Sequence, residues 1–246
     1  VIESLLGYNN DYETLGERHS YNTIGASFAS AAAGPLGHYK FHSGEGGMRV
    51  PMIISGPPLD ASKQGTISHS KAFVKDLAPT ILAIAGTDHP GIEYHGKSIE
   101  PVTGINLLPV ISGATDSAYT DSDIIAYEIG GNAALIKGDY KITLNRGENN
   151  DGQWHLYNTV QDPGETQAIE TSETQIFSDL LSEYERYARD NGVIAVPNDY
   201  QQTKQAARNG IKKRIGYIAQ DHGAKLIGIL LLIISALIII RKRKNT

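Results

Sequence analysis

The chain has 246 residues, of which 40% are hydrophobic and 20% are charged, and its formal net charge is −5. This length suffices for one large domain or two modest ones with a buried core. The absence of cysteine excludes a disulfide framework, a cysteine nucleophile and a metal site built on thiolates. Five Lys or Arg residues lie within residues 225–246, so the rest of the chain carries 17 basic against 27 acidic residues. This acidic body argues against nonspecific binding of nucleic acid.

The first predicted element is a short buried strand over residues 50–55. Its apolar sequence, VPMIIS, is followed by a Gly-Pro-Pro turn signal. A helix is predicted over residues 76–85, because Leu77 and Ile81 share one face with other apolar residues and Gly86 is a typical helix end. A strand followed by a packed helix is the half-unit of an α/β sheet.

From about residue 123 the pattern changes from helical to strand-like. Strands are predicted over residues 124–129, 133–137, 140–144 and 154–157, with a tight hairpin turn at Gly138-Asp139. The apolar stripe of residues 174–190 predicts a helix that covers the apolar face of this sheet. Residues 113–195 are therefore expected to form a small antiparallel sheet with a packed helix.

The last part of the chain is strongly apolar over residues 226–240 and then strongly basic. A helix of those residues alone would span only about 22 Å, against about 30 Å of bilayer hydrocarbon. We therefore extend the predicted transmembrane helix at its N-terminal end, to residues 224–240. The basic tail, residues 241–246, is expected in the cytoplasm, which makes this a single-pass membrane protein with its main body in the periplasm or at the cell surface. A sorting signal that is later cleaved fits the same pattern. Residues 196–223 are predicted to be a polar connector.

One glycine-rich loop carries candidate chemistry. Lys40 precedes the run Glu45-Gly46-Gly47-Met48-Arg49, just before the predicted strand. Glycines let backbone approach closely, and an ammonium group on such a loop can stabilise an oxyanion as a point charge. The alternative is a glycine-rich turn in which Glu45 and Arg49 pair only to fix the loop. The eight histidines follow no HxH or HExxH pattern, so they indicate no metal site.

The same loop resembles a segment of the sulfatases, a family within the alkaline phosphatase superfamily. Lys40 and residues 45–51 match K-x(4)-E-G-G-[IM]-R-V-P, and residues 12–16 resemble the bacterial arylsulfatase branch. Other similar segments follow in family order: D-x-A-P-T-x-L-x-x-A-G at residues 76–86, Gly-Lys-Ser at 96–98, K-G-x-x-K at 137–141, W-x-L-Y at 154–157 and D-P-G-E at 162–165. The chain is therefore similar to the C-terminal portion of a sulfatase.

This resemblance implies the hydrolysis of sulfate esters. In the family, a formylglycine made from the Cys or Ser of C/S-x-P-x-R is the nucleophile, and Asp and Asn residues hold a divalent cation, usually calcium. This sequence contains neither that motif nor the family's metal ligands, so we expect the chain to be inactive alone and to belong to a longer enzyme. By the resemblance, Lys40 contacts the sulfate. Glu45, Gly46, Gly47 and Arg49 would shape the loop that carries it.

The expected fold class is α/β. Residues 1–112 would complete an alkaline-phosphatase-like α/β/α sandwich, in which the strand at residues 50–55 would lack its parallel neighbours within this chain. The expected substrate is a small-molecule or carbohydrate sulfate ester, and nucleic acid is not an expected partner. Two alternatives stay open: a phosphate or phosphonate ester hydrolase of the same superfamily, and a non-catalytic, membrane-tethered module on a sulfatase-like scaffold.

Overall fold

The structure, a computed structural model, describes residues 8–217 and residue 220, except residues 19, 23, 58 and 148. The chain divides into two units, residues 1–196 and residues 197–246. In the second unit, residues 202–217 form an exposed helix within the predicted polar connector. The predicted transmembrane helix over residues 224–240 and the basic tail lie outside the described residues. Within the described ranges, no helix combines the length and the apolar character needed to cross a membrane.

The first half of the first unit consists of short helices joined by irregular segments. Three single-turn helices lie at Tyr12–Thr14, Ala61–Lys63 and Val74–Asp76. The α-helices are α1 (Gly25–Ala33), α2 (Glu45–Met48), α3 (Leu77–Ile84) and α4 (Leu108–Ile111). A hairpin of two-residue strands, β1 (Glu93–Tyr94) and β2 (Lys97–Ser98), lies between α3 and α4. Helix α3 confirms the predicted helix, and Gly86 follows it with a φ of 64°, a conformation that glycine adopts without strain.

The strand predicted over residues 50–55 is not formed. These residues pair with no strand in the part of the chain that the structure describes, and Val50 and Ile53 are 77% and 93% exposed. On α3, Ile81 is 63% exposed, so the apolar face of that helix is not packed as predicted. A strand needs a neighbour to satisfy its backbone groups, and the described residues supply none here.

Asp76, the first residue of the D-x-A-P-T segment, connects several parts of the chain through hydrogen bonds. Its fully buried carboxylate accepts hydrogen bonds from the Phe73 N–H at 2.7 Å, the Ile105 N–H at 2.8 Å and the Tyr119 hydroxyl at 2.9 and 2.8 Å. Burial, followed by the hydrogen bonds and charge of Asp76, raises the pKa of Tyr119. The buried Thr80 hydroxyl, in turn, accepts a hydrogen bond from the Leu107 N–H at 2.8 Å. Asp76 and Thr80 therefore fasten α3 to the segments that follow it.

Four longer strands form an antiparallel sheet in chain order. They are β3 (Ile124–Ile129), β4 (Asn132–Lys137), β5 (Tyr140–Leu144) and β6 (Trp154–Asn158), which confirms the predicted strands. Gly138-Asp139 forms the predicted two-residue turn, with Gly138 at a φ of 52°. Successive residues of a strand point to opposite faces, so each strand contributes to two different environments.

One face of the sheet packs against a single long helix, α5 (Thr174–Asp190), as predicted. Ile142 pairs with both Leu135 and Leu156, so these three fully buried side chains share that face and meet Leu180 of the helix. Lys141 and Thr143 alternate with Ile142 along β5 and therefore lie on the other face. Both are buried, so the second face must also be covered.

We predict that Ile142→Ala lowers the free energy of unfolding by about 2–5 kcal/mol, because it leaves a cavity in the core between the sheet and α5. The matched control is Ile194→Ala, the same change at a side chain that is 85% exposed, with an expected effect within about 0.5 kcal/mol. Urea unfolding followed by circular dichroism measures both. Equal effects of the two substitutions would contradict this description of the core.

Candidate functional site

Lys40 lies in the segment between α1 and α2, residues 34–44, which we call the Lys40 loop. Its side chain is exposed, and its ammonium lies 4.9 Å from the centroid of the Phe41 ring. Among the described residues it forms no ion pair and no hydrogen bond. His38 and Phe41, which flank it, have φ angles of 65° and 76°, in the left-handed region that non-glycine residues avoid. Such a conformation persists only where surrounding contacts impose it.

The first set of these contacts joins the Lys40 loop to the polar face of the sheet. The Asn132 side-chain amide donates to the Phe41 carbonyl at 2.8 Å. Two residues later, the Ser43 N–H donates to Asn145 Oδ1 at 2.8 Å, and the Ser43 hydroxyl lies 2.6 Å from that of Thr143. Ser43 is fully buried, so these bonds form away from water. The loop is therefore the cover of the second sheet face.

The second set is ionic and consists of Lys141, Glu45 and Glu165, which we call the Lys141 cluster. The fully buried Lys141 ammonium lies 2.9 Å from Glu45 Oε1 and 2.8 Å from Glu165 Oε1. Glu165 Oε2 accepts the backbone N–H of Glu45 at 2.7 Å. Burial raises the pKa of Glu165, while the charge of Lys141 opposes that shift. Loss of Lys141 from this group would leave the buried carboxylates uncompensated, at a cost of about 3–5 kcal/mol.

The predicted pair between Glu45 and Arg49 is formed, with the Arg49 guanidinium 3.6 Å from Glu45 Oε2. The Arg49 side chain is 56% exposed, so solvent weakens this pair. The buried contact of Glu45 with Lys141 is thus the stronger constraint. Arg49 lies at the outer edge of the cluster and neutralises the second carboxylate oxygen of Glu45.

The two glycines after Glu45 permit a close approach of backbone to backbone. The Gly46 N–H donates to the Gly37 carbonyl at 2.7 Å. A Cβ atom at Gly46 would overlap the carbonyl oxygen of His38, and one at Gly47 would overlap that of His42. Both glycines therefore allow α2 to lie directly against the Lys40 loop. The loop-shaping role that the resemblance implies for them stays a prediction.

Two imidazole rings flank Lys40 in the sequence and stack on each other. The ring centroids of His38 and His42 are 4.9 Å apart at an interplanar angle of 19°, and His42 Nδ1 lies 3.1 Å from the Tyr39 carbonyl oxygen. Desolvation lowers the pKa of His38, as do the nearby charges of His42 and Lys141. Two stacked rings do not present their nitrogens to a common ion, so this pair is not arranged as a metal site.

A polar cavity of about 270 Å³ lies beside the Lys40 loop, lined by His38, Asn145, His155, Tyr157 and other polar residues. Glu165 of the Lys141 cluster forms part of its wall. Burial and the nearby charge of Glu165 raise the pKa of Tyr157 to about 12. The cavity therefore brings residues of β6 next to the loop that carries Lys40.

Comparison with known proteins places these motifs in a family. No protein-family model matches the chain. An uncharacterized sulfatase of Schizosaccharomyces pombe is 31% identical over 194 residues, which are 78% of this chain and 34% of that protein. An arylsulfatase of Klebsiella aerogenes is 32% identical over 104 residues, 42% of this chain and 22% of that protein. The chain belongs to the sulfatase family.

This sulfatase chain spans about a third of the length of its S. pombe relative. Among solved structures, a 2-O GAG sulfatase is 17% identical, with a TM-score of 0.36 over 51% of this chain and 30% of that protein.

The sulfatase family implies a calcium ion and a formylglycine. The described residues contain no cluster of three or more His, Asp or Glu side chains that could hold a metal ion, and the sequence has no C/S-x-P-x-R segment. Neither group fits the residues present here.

Residues of three sulfatase motifs contact one another, which the sequence alone did not predict. Lys141 and Glu165 were recognised only as parts of K-G-x-x-K and D-P-G-E, and the latter segment reads as a plain turn by its composition. One signal was available: Lys141 alternates with the apolar Tyr140 and Ile142 of a central strand, where a lysine must find a buried partner. Nothing local in the sequence indicates that this partner is Glu45.

We predict that Glu170→Gln lowers the pKa of His155. Burial alone would lower this pKa, but hydrogen bonds and charges from Glu170 and Asp151, at 3.0 and 2.9 Å, raise it. Because the folded-state pKa is raised, the ion pairs stabilise the fold fully below about pH 6.5, the ordinary value for His, and this contribution is lost as the pH rises through the raised pKa. NMR titration of the His155 ring measures the change.

The control for this titration is Glu173→Gln, a nearby carboxylate for which the structure shows no contact with His155. It is expected to leave the His155 pKa unchanged. If Glu170→Gln also leaves that pKa unchanged, the two carboxylates do not hold the ring as described.

Proposed function

We propose that this chain is the C-terminal portion of an enzyme that hydrolyses sulfate esters, and that Lys40 is its contribution to the reacting centre. The observation that carries the proposal is the state of Lys40: an exposed ammonium without an ionic partner among the described residues, on a loop that buried contacts hold in a strained conformation. Lys141, by contrast, is buried against two carboxylates. Membership of the sulfatase family supports the reaction class.

The role of Lys40 follows from the charge that the reaction develops. As the S–O bond of a sulfate ester breaks, negative charge accumulates on the oxygens around sulfur. A fixed ammonium neutralises this charge without waiting for solvent to reorganise. Lys40 cannot itself attack sulfur or coordinate a metal, so the nucleophile and the calcium ion implied by the family would come from residues outside this chain.

Exposed apolar surface in residues 8–112 supports the view that this region completes a larger domain. Ile53 and Ile67 are 93% and 84% exposed, and the apolar face of α3 is also uncovered. We propose that residues 1–112 finish an α/β/α sandwich of the alkaline phosphatase type, in which residues 50–55 pair with strands from the preceding part of the enzyme. The S. pombe relative, about three times as long as its matched segment, has the additional length that such a domain needs.

We predict that Lys40→Ala in the complete polypeptide lowers the turnover number by about 10² to 10³, the scale for removing one preorganised charge stabiliser. The matched control is Lys75→Ala, which removes another exposed lysine of the same unit and leaves turnover intact. Steady-state hydrolysis of an aryl sulfate and of the matching aryl phosphate measures both rates. A preference for the phosphate would favour a phosphate or phosphonate ester hydrolase, and turnover of neither ester would favour a non-catalytic module.

We also propose that residues 224–240 anchor the protein in a membrane, with the main body extracytoplasmic and the basic tail in the cytoplasm. The support is the apolar run of residues 226–240 followed at once by four cations. A small-molecule or carbohydrate sulfate ester outside the cytoplasm would be the substrate of such an enzyme.

Deletion of residues 224–246 is expected to release the protein from sedimented membranes without loss of turnover. Deletion of residues 241–246 alone is the control, because it retains the apolar run and should keep the protein in the membrane fraction. Fractionation followed by immunoblotting measures both forms. Sedimentation of the longer deletion with membranes would refute the anchor.

A further inference from the structure

We propose that Glu45, Lys141 and Glu165, the Lys141 cluster, act as positioning residues that fix the place from which Lys40 meets the sulfate ester. This inference rests on the proposed function of Lys40. It assigns a role to two motif residues, Lys141 and Glu165, that lie far from Lys40 in the sequence and have no role in the family resemblance described above.

The position of Lys40 depends on how the neighbouring backbone is held. Lys40 makes no polar contact with the described residues, so its position depends on the backbone on either side of it. Toward the C-terminus the first points of attachment are Phe41, Ser43 and Glu45, and each of them bonds to the sheet or to the D-P-G-E turn. Glu45 is held twice, by its carboxylate to Lys141 and by its backbone N–H to Glu165.

The type of interaction also points to positioning. Burying two carboxylates with one ammonium gives little net stability, because desolvation offsets most of the attraction. An apolar contact would hold the Lys40 loop to the sheet at lower cost. What the ionic contact adds is direction: the Lys141 ammonium lies 2.9 and 2.8 Å from two carboxylates on different segments, so it fixes both relative to β5. Such geometric precision is what charge stabilisation at a reacting centre requires.

The sheet provides a matched comparison. Lys137, the first lysine of the same K-G-x-x-K motif, forms an ion pair with Glu183 of α5. This pair also joins the sheet to a covering element, but it lies on the opposite face and does not touch the Lys40 loop. A purely structural ion pair between sheet and cover is therefore available for comparison within the same motif.

The test is a double-mutant cycle in the complete polypeptide with Lys40→Ala, Glu165→Gln and the two combined. Glu165→Gln keeps the size of the side chain and removes its charge. We expect it to lower the turnover number by about 10-fold to 100-fold, the scale for slight misplacement of a group that acts on the substrate. In the Lys40→Ala background it should cause no further loss, because the residue that it positions is gone. Glu183→Gln should leave turnover unchanged in both backgrounds.

Additive losses from Lys40→Ala and Glu165→Gln would overturn the inference, since they would show that Glu165 acts independently of Lys40. If the unsubstituted enzyme turns over no sulfate ester, or Lys40→Ala leaves turnover unchanged, the proposed function fails first, and this inference fails with it. The two failures are therefore distinguishable.

A second measurement keeps the inference testable if Glu165→Gln folds poorly. Amide hydrogen exchange should quicken at residues 37–49 in Glu45→Gln, while exchange in α5 stays unchanged. Glu183→Gln should show the reverse pattern. Equal exchange at residues 37–49 in Glu45→Gln and in the unsubstituted protein would overturn the positioning role.

Discussion

The attachment of α2 and of the turn before α5 to the sheet depends on one buried cation, Lys141. An ammonium group inside a protein is tolerated only where carboxylates compensate it, and no acidic side chain lies beside it in its own strand. The compensating groups come from two other segments, Glu45 of α2 and Glu165 of the turn before α5. The ion pairs of this one charge thus join three separate parts of the chain, and together with the hydrogen bonds of Phe41 and Ser43 they hold the Lys40 loop over the sheet.

The sheet can accept such a cover because its two faces differ in chemistry. Along β5, Tyr140, Ile142 and Leu144 alternate with Lys141 and Thr143. The apolar face is covered by α5 through dispersion and hydrophobic burial, which tolerate small shifts. The polar face is covered by the Lys40 loop through directed hydrogen bonds and ion pairs. The Lys40 loop is thus held mainly by directional contacts, whereas α5 is held mainly by its apolar face, with the Lys137–Glu183 pair in addition.

Local patterns predicted the sheet and α5 well, and they failed wherever a partner is distant in sequence. The alternation of residues 124–144 and the Gly138-Asp139 turn contain the information that forms strands β3 to β5. The resemblance to a family pointed to Lys40 and the Glu45-Gly46-Gly47 run, and the loop-shaping role of that run stays a prediction. The Lys141 cluster joins residues 96 and 120 positions apart, and no local pattern encodes such pairing. The strand at residues 50–55 was wrong for the same reason, because an apolar run becomes a strand only beside a neighbour.

A motif match alone does not separate scaffold residues from residues that serve a reacting centre. Asp76 and Glu45 both come from segments similar to the sulfatases, and both carboxylates are buried. Every contact of Asp76 leads to another part of the scaffold, so its motif is explained by folding alone. The contacts of Glu45 end on a strained loop that carries an exposed ammonium without an ionic partner among the described residues. In the proposed function, the partner of this ammonium is the negative charge that develops on the substrate.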